Sequence, residues 1–268
     1  MKERLQKIVS RHGRVSRRMA ETMIKEGRVS VNGVIVAQMG SLADEEEDSI
    51  RVDDKQIVAE LTPVYLLLYK PRGYVTTLKD PENRPVVTDL IRREGERVFP
   101  VGRLDYDSEG LLIMSNDGSF SEKVQHPRYN VPKRYRARIS GHLTSHDIQH
   151  LKTGVQFDGG VFKPRDLQIE KRNDKSMWVA LTVGEGKNRM IRKGFTAIRH
   201  DVERLVRVAI GDIVLGNLKR GEYRHLTKVE IESLLSYANS SPKHEKIILQ
   251  PKNSVKTRRY TSRHKEKN

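Results

Sequence analysis

Two spacings of apolar residues organise the first forty positions of the chain. Apolar residues three and four apart predict two short helices, with these positions at Leu5, Ile8 and Val9 in the first helix and at Ala20, Met23 and Ile24 in the second. Gly13 ends the first helix, Ser16 can cap the second, and Gly27 lies just past its end. Residues 29–36 then alternate around Asn32 and Gly33, a strong β-hairpin signal. The segment is therefore predicted to be two helices followed by a hairpin.

The rest of the chain mixes strand and helix patterns. Apolar or alternating runs predict strands at residues 65–69, 110–115, 133–140 and 205–210. The third strand has two different sides, with Tyr135, Ala137 and Ile139 on one and Arg134, Arg136 and Arg138 on the other. Helices are predicted at two capping-box spacings, Ser119 with Glu122 and Thr227 with Glu230, and after Gly184 and Gly186. Because there is no regular βαβ alternation, we expect an α+β fold with a largely antiparallel sheet.

Positive charge dominates the chain and is unevenly distributed. The 268 residues include 51 Lys and Arg against 35 Asp and Glu, which gives a net charge of +16. Residues 1–28 carry +6, 29–60 carry −6, 61–240 carry +9 and 241–268 carry +7. The basic last segment has few apolar residues, and we expect a disordered tail over 241–268. From the predicted elements we expect a small domain over 1–60 and a larger domain over 61–240. Nucleic acid is the expected partner, although charge can also serve solubility alone.

The chain lacks the residues and segments that cysteine chemistry, a membrane span or a signal peptide would need. Without cysteine there is no disulfide, thiolate zinc site, iron–sulfur cluster or cysteine nucleophile. No apolar run approaches the ~18 residues of a membrane span, and the N-terminus has no signal-peptide pattern, so a cytoplasmic protein is expected. His142, His146 and His150 have the spacing of one helix face, but no closed ligand set accompanies them. We therefore expect no metal and no cofactor. We also expect a monomer.

A cluster of basic residues surrounds the second predicted helix. These residues are Arg14, Arg17, Arg18, Lys25 and Arg28, and they can line one exposed face and contact phosphates. A solvated helix face explains the same charges without RNA. The stretch SRRMAETMIKEGRVSVNG, within residues 2–60, resembles the S-four RNA-binding domain, which is named after a small-subunit ribosomal protein. The resemblance implies that this helix lies against structured RNA.

The second domain carries a candidate catalytic segment. Gly102, Arg103, Leu104 and Asp105 follow a strand, where a scaffold often presents reactive groups. The full segment VGRLDYDSEGLLIMSNDG resembles the signature of pseudouridine synthases, specifically the bacterial ribosomal-RNA family that includes the small-subunit enzyme. The segments LLLYKPRGYVTT and KRYRARISG are similar to further motifs of that family. The segment GEGKNRMIRKGFTAIRHDVERLVRVAIGDIVLGNLKRGEYRHLT is similar to its C-terminal motif, and the resemblance covers residues 64–232.

The resemblance implies a role for each of several residues. Asp105 corresponds to the catalytic aspartate, Tyr135 to the active-site tyrosine and Arg192 to the basic residue that pairs with the aspartate. Arg103 corresponds to the arginine that takes the space left by a flipped base. Arg189 and Lys193, near Arg192 on the predicted helix, are candidate RNA contacts or substitutes for it.

Isomerising uridine suits these residue types. The N1–C1′ bond must break, the base must turn, and C5 must join C1′, which requires neither metal nor redox chemistry. A carboxylate can attack C1′ or stabilise positive charge there, and a neighbouring guanidinium favours its ionised form. A tyrosine ring can stack on uracil, and its phenol can relay the C5 proton. The target must first be extruded from folded ribosomal RNA.

Each candidate residue also has a purely structural interpretation, and the predicted function has two alternatives. Asp105 could be a turn aspartate with Asp107 beside it, Tyr135 a sheet tyrosine and Arg192 a surface arginine. A non-catalytic RNA-binding or ribosome-assembly protein is one rival. A methyltransferase is another, but the chain lacks a glycine-rich strand–helix turn for its cofactor.

Three positions depart from the family pattern. Met190 stands where glutamine is expected, which removes an amide contact. Gly194 interrupts the predicted helix where a larger residue is usual, at a cost of roughly 1 kcal/mol in helix propensity. Arg199 stands where a helix-ending glycine is common.

Overall fold

The computed structural model of the protein describes residues 2–13, 15–57, 62–91 and 96–239. Three sequence predictions lie outside these residues: the contact by Arg14, the boundary near residue 60 and the basic tail at 241–268. The helices of the described part are α1 (Leu5–His12), α2 (Arg17–Lys25), α3 (Gly118–Gln125), α4 (Ser145–Thr153), α5 (Met190–Ala197) and α6 (Lys228–Asn239). Short 3-10 helices cover Val87–Ile91 and Pro127–Tyr129.

The strands of the described part fall into a small N-terminal group and a larger group. The first group is β1 (Glu3–Arg4), β2 (Val29–Val31), β3 (Val34–Ile35), β4 (Leu42–Ala43), β5 (Ile50–Val52) and β6 (Lys55–Gln56). The second is β7 (Tyr65–Lys70), β8 (Phe99–Val101), β9 (Glu109–Ser115), β10 (Lys133–Ser140), β11 (Val155–Phe157), β12 (Gly160–Phe162), β13 (Arg165–Asn173), β14 (Ser176–Val183), β15 (Val202–Ile210), β16 (Ile213–Val214) and β17 (Tyr223–His225). The four strand predictions are confirmed, with β15 starting three residues earlier than expected.

The N-terminal elements form the predicted helix–helix–hairpin unit. The Ser16 side chain accepts a hydrogen bond from the Met19 amide at 3.1 Å and caps α2, as the sequence predicts. The sheet has the order β3-β2-β5-β6, and α1 and α2 share its apolar core. That core is built from Leu5, Ile8, Val9, Ala20, Met23, Ile24, Val29, Ala43 and Ile50. All six apolar positions predicted for the helices are therefore buried.

The larger sheet has the order β13-β14-β10-β15-β9-β7-β17 and is mainly antiparallel. The pair β9 and β15 is parallel. Neighbouring residues of β7 and β9 contribute to different apolar clusters: Leu66 and Leu112 to one, Leu67 and Leu111 to the other. Helix α5 packs in the first cluster through Phe195, whereas α3 and α6 pack in the second. The α+β expectation is confirmed, with a core on each face of the sheet.

The helix starts confirm one of the two predicted capping boxes and correct the other. Thr227 and Glu230 exchange hydrogen bonds at the start of α6, between the Glu230 amide and Thr227 Oγ1 at 3.2 Å and between the Thr227 amide and Glu230 Oε2 at 2.9 Å. The predicted cap by Ser119 is wrong, because the Asp117 carboxylate accepts the Ser119 and Phe120 amides at the start of α3. Helix α4 begins after Thr144, whose side chain accepts the Asp147 amide in a capping box.

Gly194 makes room for an aromatic ring. A Cβ at this position would lie 2.1 Å from Cδ1 of Phe162 on β12. Phe162 is fully buried, and its ring centroid lies 5.5 Å from that of Phe195. The departure from the family pattern is thus compensated by a ring that occupies the space of the missing side chain.

Gly194→Ala is expected to destabilise the protein by about 1–3 kcal/mol because overpacking outweighs the gain in helix propensity. Chemical unfolding would measure the effect. Gly186→Ala is the matched control, since its added Cβ meets nothing within 4 Å. Equal stability of the two variants would contradict the packing argument, and Phe162→Leu should recover part of the loss in Gly194→Ala.

Arg199 occupies a glycine-like position at the end of α5. Its φ is 63°, in the left-handed region. The Arg199 amide donates to the Thr196 carbonyl at 2.9 Å and the His200 amide to the Phe195 carbonyl at 3.0 Å. These two bonds define a Schellman motif, in which glycine is favoured at the left-handed position.

Arg199→Gly is expected to raise the free energy of unfolding by up to about 1 kcal/mol, because it relieves left-handed strain at some entropic cost. Arg199→Ala removes the same charge and keeps the strain, so it should not stabilise. A thermal unfolding comparison of the two variants separates backbone conformation from charge. A gain shared equally by both would assign the effect to the arginine side chain instead.

Candidate functional site

Asp105 lies in the loop between β8 and β9, and buried polar contacts fix that loop. The fully buried Lys70 donates from Nζ to the carbonyls of Asp105 at 3.0 Å and Ser108 at 2.8 Å. Thr76 Oγ1 donates to the Leu104 carbonyl at 2.6 Å. Burial lowers the pKa of Lys70 to about 8. Lys70 has no role predicted from the sequence, although its place at the end of a buried strand was the available signal.

The loop borders an open cavity of about 520 Å³. Four of the predicted functional residues line it: Arg103, Asp105, Tyr135 and Arg189. The Asp105 side chain is 32% exposed, and Arg103 is also exposed. Met190 lines the cavity as well and is buried, so an apolar thioether contacts the space where an amide was expected. The cavity therefore combines a carboxylate, an aromatic ring and arginines with apolar wall residues.

The predicted ion pair between Asp105 and Arg192 is wrong, because each of the two residues has a different partner. Within the described residues, the guanidinium that pairs with Asp105 is that of Arg189, with Nη1 3.8 Å from Oδ2. Arg192 pairs with Asp107 instead, with Nη2 3.2 Å from Oδ2. Arg192 Nη1 donates to the Val202 carbonyl at 2.6 Å. This backbone contact holds Arg192 inside the fold, whereas Arg189 lies before α5 in a left-handed conformation with φ 49°.

Asp107 organises both arginines. Its carboxylate accepts from Arg189 Nη1 at 3.2 Å and Nη2 at 3.3 Å, and its own carbonyl accepts from Arg192 Nη2 at 3.0 Å. Burial raises the pKa of Asp107, but the Arg189 hydrogen bonds and the charge of Arg192 outweigh burial and hold that pKa below its usual value. The residue that the sequence offered as an alternative to Asp105 therefore holds Arg189 beside Asp105.

Asp107→Asn is expected to lower the rate constant for the chemical step by about 10–100-fold, because groups that orient a reacting residue typically contribute that much. The neutral amide loses both ion pairs, so Arg189 is no longer held beside Asp105. Single-turnover kinetics and RNA binding would be measured together, and RNA affinity should change little. Asp212→Asn is the matched control, since Asp212 bonds only Ser233 and Tyr237 among the described residues. An unchanged rate constant would contradict the positioning role.

Tyr135 is buried at the cavity and lies opposite Arg207 in the β10–β15 pair. Arg207 donates from Nη1 to the Tyr135 hydroxyl at 3.4 Å and from Nε to the Leu111 carbonyl at 2.7 Å. Arg207 was not among the residues predicted to be functional. A charged residue within the apolar run LVRVAI was the signal that could have found it.

The other predicted RNA contacts have different environments. Arg17, Arg18 and Lys25 are exposed on α2. Arg28 is bound by Asp53, with Nη2 2.6 Å from Oδ2, so its charge is largely compensated within the protein. Lys193 donates to the Asp158 carbonyl at 3.0 Å and is not among the residues that line the cavity.

The histidine spacing does not produce a metal site in the described part of the chain. No group of three His, Asp or Glu residues there could hold a metal ion. His142 Nε2 lies 2.7 Å from the Asn173 carbonyl, and the rings of His146 and His150 are 6.1 Å apart. None of the described helices is long and apolar enough to span a membrane.

Comparisons with known proteins match both parts of the chain. A family model described as RNA pseudouridylate synthase matches residues 64–197, and an S4 domain model matches residues 3–47. A crystal structure of pseudouridylate synthase is similar with a TM-score of 0.60 and 28% identity, over 86% of this chain and 99% of that chain. The two family models cover the Asp105 loop and the helix–helix–hairpin unit, whereas Leu205, Arg207 and Ile210 of the cavity wall lie beyond residue 197.

Two curated relatives cover most of the chain. An uncharacterized RNA pseudouridine synthase of Aquifex aeolicus is 39% identical over 235 residues, which are 87% of this chain and 94% of that protein. The ribosomal large subunit pseudouridine synthase B of Bacillus subtilis is 39% identical over 240 residues, which are 88% and 97% of the two chains. This name gives no support to the small-subunit part of the expected resemblance. The chain belongs to the RNA pseudouridylate synthase family and combines that family's catalytic region with an N-terminal S4 domain.

Proposed function

We propose that this protein converts a specific uridine of bacterial large-subunit ribosomal RNA into pseudouridine, with Asp105 as the catalytic carboxylate. The observation that carries the proposal is the cavity in which Asp105 and Arg189 form an ion pair and Tyr135 supplies a buried ring. The large-subunit name of the Bacillus subtilis relative supports this class of RNA. The reaction takes place in the cytoplasm, on a monomeric enzyme without metal.

The chemistry needs an anionic group at the sugar and a surface for the base. When the N1–C1′ bond breaks, its electron pair leaves with the base and C1′ becomes positively charged. The Asp105 carboxylate faces C1′ and compensates that charge, and the Arg189 guanidinium lies beside it, with Nη1 3.8 Å from Oδ2. The Tyr135 ring stacks on the uracil. The base then turns, C5 bonds to C1′, the C5 proton leaves and N1 gains a proton, so the reaction is an isomerisation.

Two further groups of residues act on the RNA. Arg103 is exposed at the cavity and takes the place of the extruded base, which offsets part of the few kcal/mol that unstacking costs. The S4 domain contacts phosphates of the RNA through basic residues, which are Arg14, Arg17, Arg18, Lys25 and Arg28. Lys193 of the catalytic region contacts phosphates as well. Arg192 acts through Asp107, as a positioning residue. The proposed divisions are 1–60 for RNA binding, 61–240 for catalysis and 241–268 as a basic tail.

Mapping pseudouridines in ribosomal RNA from cells with and without this protein tests the proposal. One pseudouridine of the large-subunit RNA should disappear with the gene and return when the purified protein is added to the unmodified RNA. Loss of a small-subunit pseudouridine would overturn the substrate assignment. An unchanged pseudouridine pattern would favour a protein that binds RNA or assists ribosome assembly without catalysis.

A further inference from the structure

The buried side of the cavity carries two cations on neighbouring strands. Lys133 and Arg207 both line the cavity that contains Asp105. Arg207 lies directly opposite Tyr135 in the β10–β15 pair, and Lys133 precedes Tyr135 by two residues on β10. Strand alternation therefore places the three side chains on one face of the sheet. Arg207 is only 3% exposed.

Neither cation forms an ion pair within the part of the chain that the structure describes. Lys133 Nζ donates to the Val131 carbonyl at 3.0 Å. Arg207 Nη1 donates weakly, at 3.4 Å, to the Arg103 carbonyl and to the Tyr135 hydroxyl. Arg207 Nη2 is buried and has no hydrogen-bond partner. A buried donor of this kind is unfavourable unless a ligand accepts its hydrogen bond.

The two charges also disfavour each other. Burial, together with the nearby charge of Arg207, lowers the pKa of Lys133 to about 8. Like charges in a poorly solvated place repel, and an anion between them would remove both the repulsion and part of the desolvation cost. Lys70, the fully buried lysine at this site, differs because three backbone carbonyls accept from its Nζ.

The position of the pair favours a base over a phosphate. Val101, Val124 and Ile210 also line the cavity, and such apolar walls suit the faces of a flat ring. The phosphates of the RNA flank the sugar of the target nucleotide. The C1′ atom of that sugar has to reach Asp105, which lies on the more exposed side of the cavity. The base is the part of the nucleotide that extends beyond C1′ into the cavity.

We propose that Lys133 and Arg207 bind the uracil base after it detaches from the ribose and stabilise its negative charge through O2 and O4. The inference rests on the proposed role of Asp105. Cleavage of N1–C1′ leaves the bonding electrons on the base as a uracil anion. The same electrons are used again when C5 bonds to C1′, the C5 proton leaves and N1 is protonated. No oxidant, reductant or other reactant is required.

The test compares two bases that differ in the stability of their anions. RNA with uridine or 5-fluorouridine at the target would be treated with Arg207→Met and Lys133→Met under single-turnover conditions. Consumption of the original nucleoside would be followed by chromatography after digestion. With uridine, each rate constant should fall by at least about 100-fold, as when a donor to a developing anion is removed. With 5-fluorouridine the loss should be at least about tenfold smaller, because fluorine stabilises the anion without help from the protein.

Controls separate this role from folding. Arg138→Met removes an exposed arginine on the opposite side of β10, where it pairs with Glu203, and should keep normal rates with both bases. Arg207→Lys retains the charge and should retain more activity than Arg207→Met. Should Arg207→Met fail to fold, Lys133→Met and Arg207→Lys still give the comparison between the two bases.

Two results would overturn the inference. Equal losses with both bases would assign Lys133 and Arg207 to packing or to positioning Tyr135. Normal rate constants with weaker RNA binding and a shallower salt dependence would assign them to a phosphate. A fully active Asp105→Asn variant would instead overturn the role of Asp105, and the comparison of the two bases would still decide the inference.

Discussion

Asp105→Asn is expected to abolish pseudouridine formation, with the single-turnover rate constant falling by at least about 1000-fold. The amide keeps the shape of the side chain but carries no charge to compensate positive charge at C1′. Since the lost interaction belongs to the transition state, affinity for the RNA should stay within about threefold. Release of tritium from RNA labelled at C5 of the target uridine would measure the reaction, and a binding titration would measure affinity.

A matched control makes the Asp105 result specific. Asp174→Asn removes one exposed carboxylate in the turn between β13 and β14 and should leave the rate unchanged. Near-normal product from Asp105→Asn would assign catalysis elsewhere in the cavity. A large loss of RNA affinity would instead make Asp105 part of the binding surface. The expected combination is lost chemistry with retained binding.

Gly110→Ala is expected to destabilise the protein by about 3 kcal/mol or more, since the new methyl group meets backbone that cannot easily move. A Cβ on Gly110 would lie 2.2 Å from the Arg207 carbonyl oxygen, and the φ of Gly110 is 113°. Gly110 pairs with Arg207 in the parallel β9–β15 contact, and β9 is also held by β7 on its other side. Thermal unfolding should show a fall in Tm of about 10 °C for a chain of this size.

A second glycine separates the clash from the backbone conformation. Gly216 has a φ of 62°, and a Cβ there meets nothing within 4 Å. Gly216→Ala should therefore cost only about 1–2 kcal/mol, the left-handed penalty alone. Equal losses for both variants would show that β15 moves away at little cost. A larger loss of stability for Gly110→Ala than for Gly216→Ala would show that β9 and β15 approach each other closely where β9 leaves the Asp105 loop.

Local patterns were sufficient for most secondary structure because neighbouring residues set it. Helices α1 and α2 and the hairpin follow the spacing of apolar residues and turn signals, and β10 has the predicted bounds. The cap of α3 was misassigned, because Asp117 and Ser119 both have capping side chains and only the backbone geometry selects between them. The contact between Gly194 and Phe162 joins residues far apart in the sequence, so no local pattern shows it.

The sequence by itself determined the fold class and the family resemblance and led to the proposal of Asp105 as the catalytic carboxylate, because each depends on residue types at short fixed spacings. Only the tertiary structure decided which arginine lies beside Asp105, what Asp107 holds and where Arg207 is buried. Arg189 and Arg192 are similar residues three positions apart, and they differ in their contacts with Asp105 and Asp107. These contacts join segments roughly 80 to 100 residues apart in the chain, and such distances are set by strand order and packing rather than by sequence spacing.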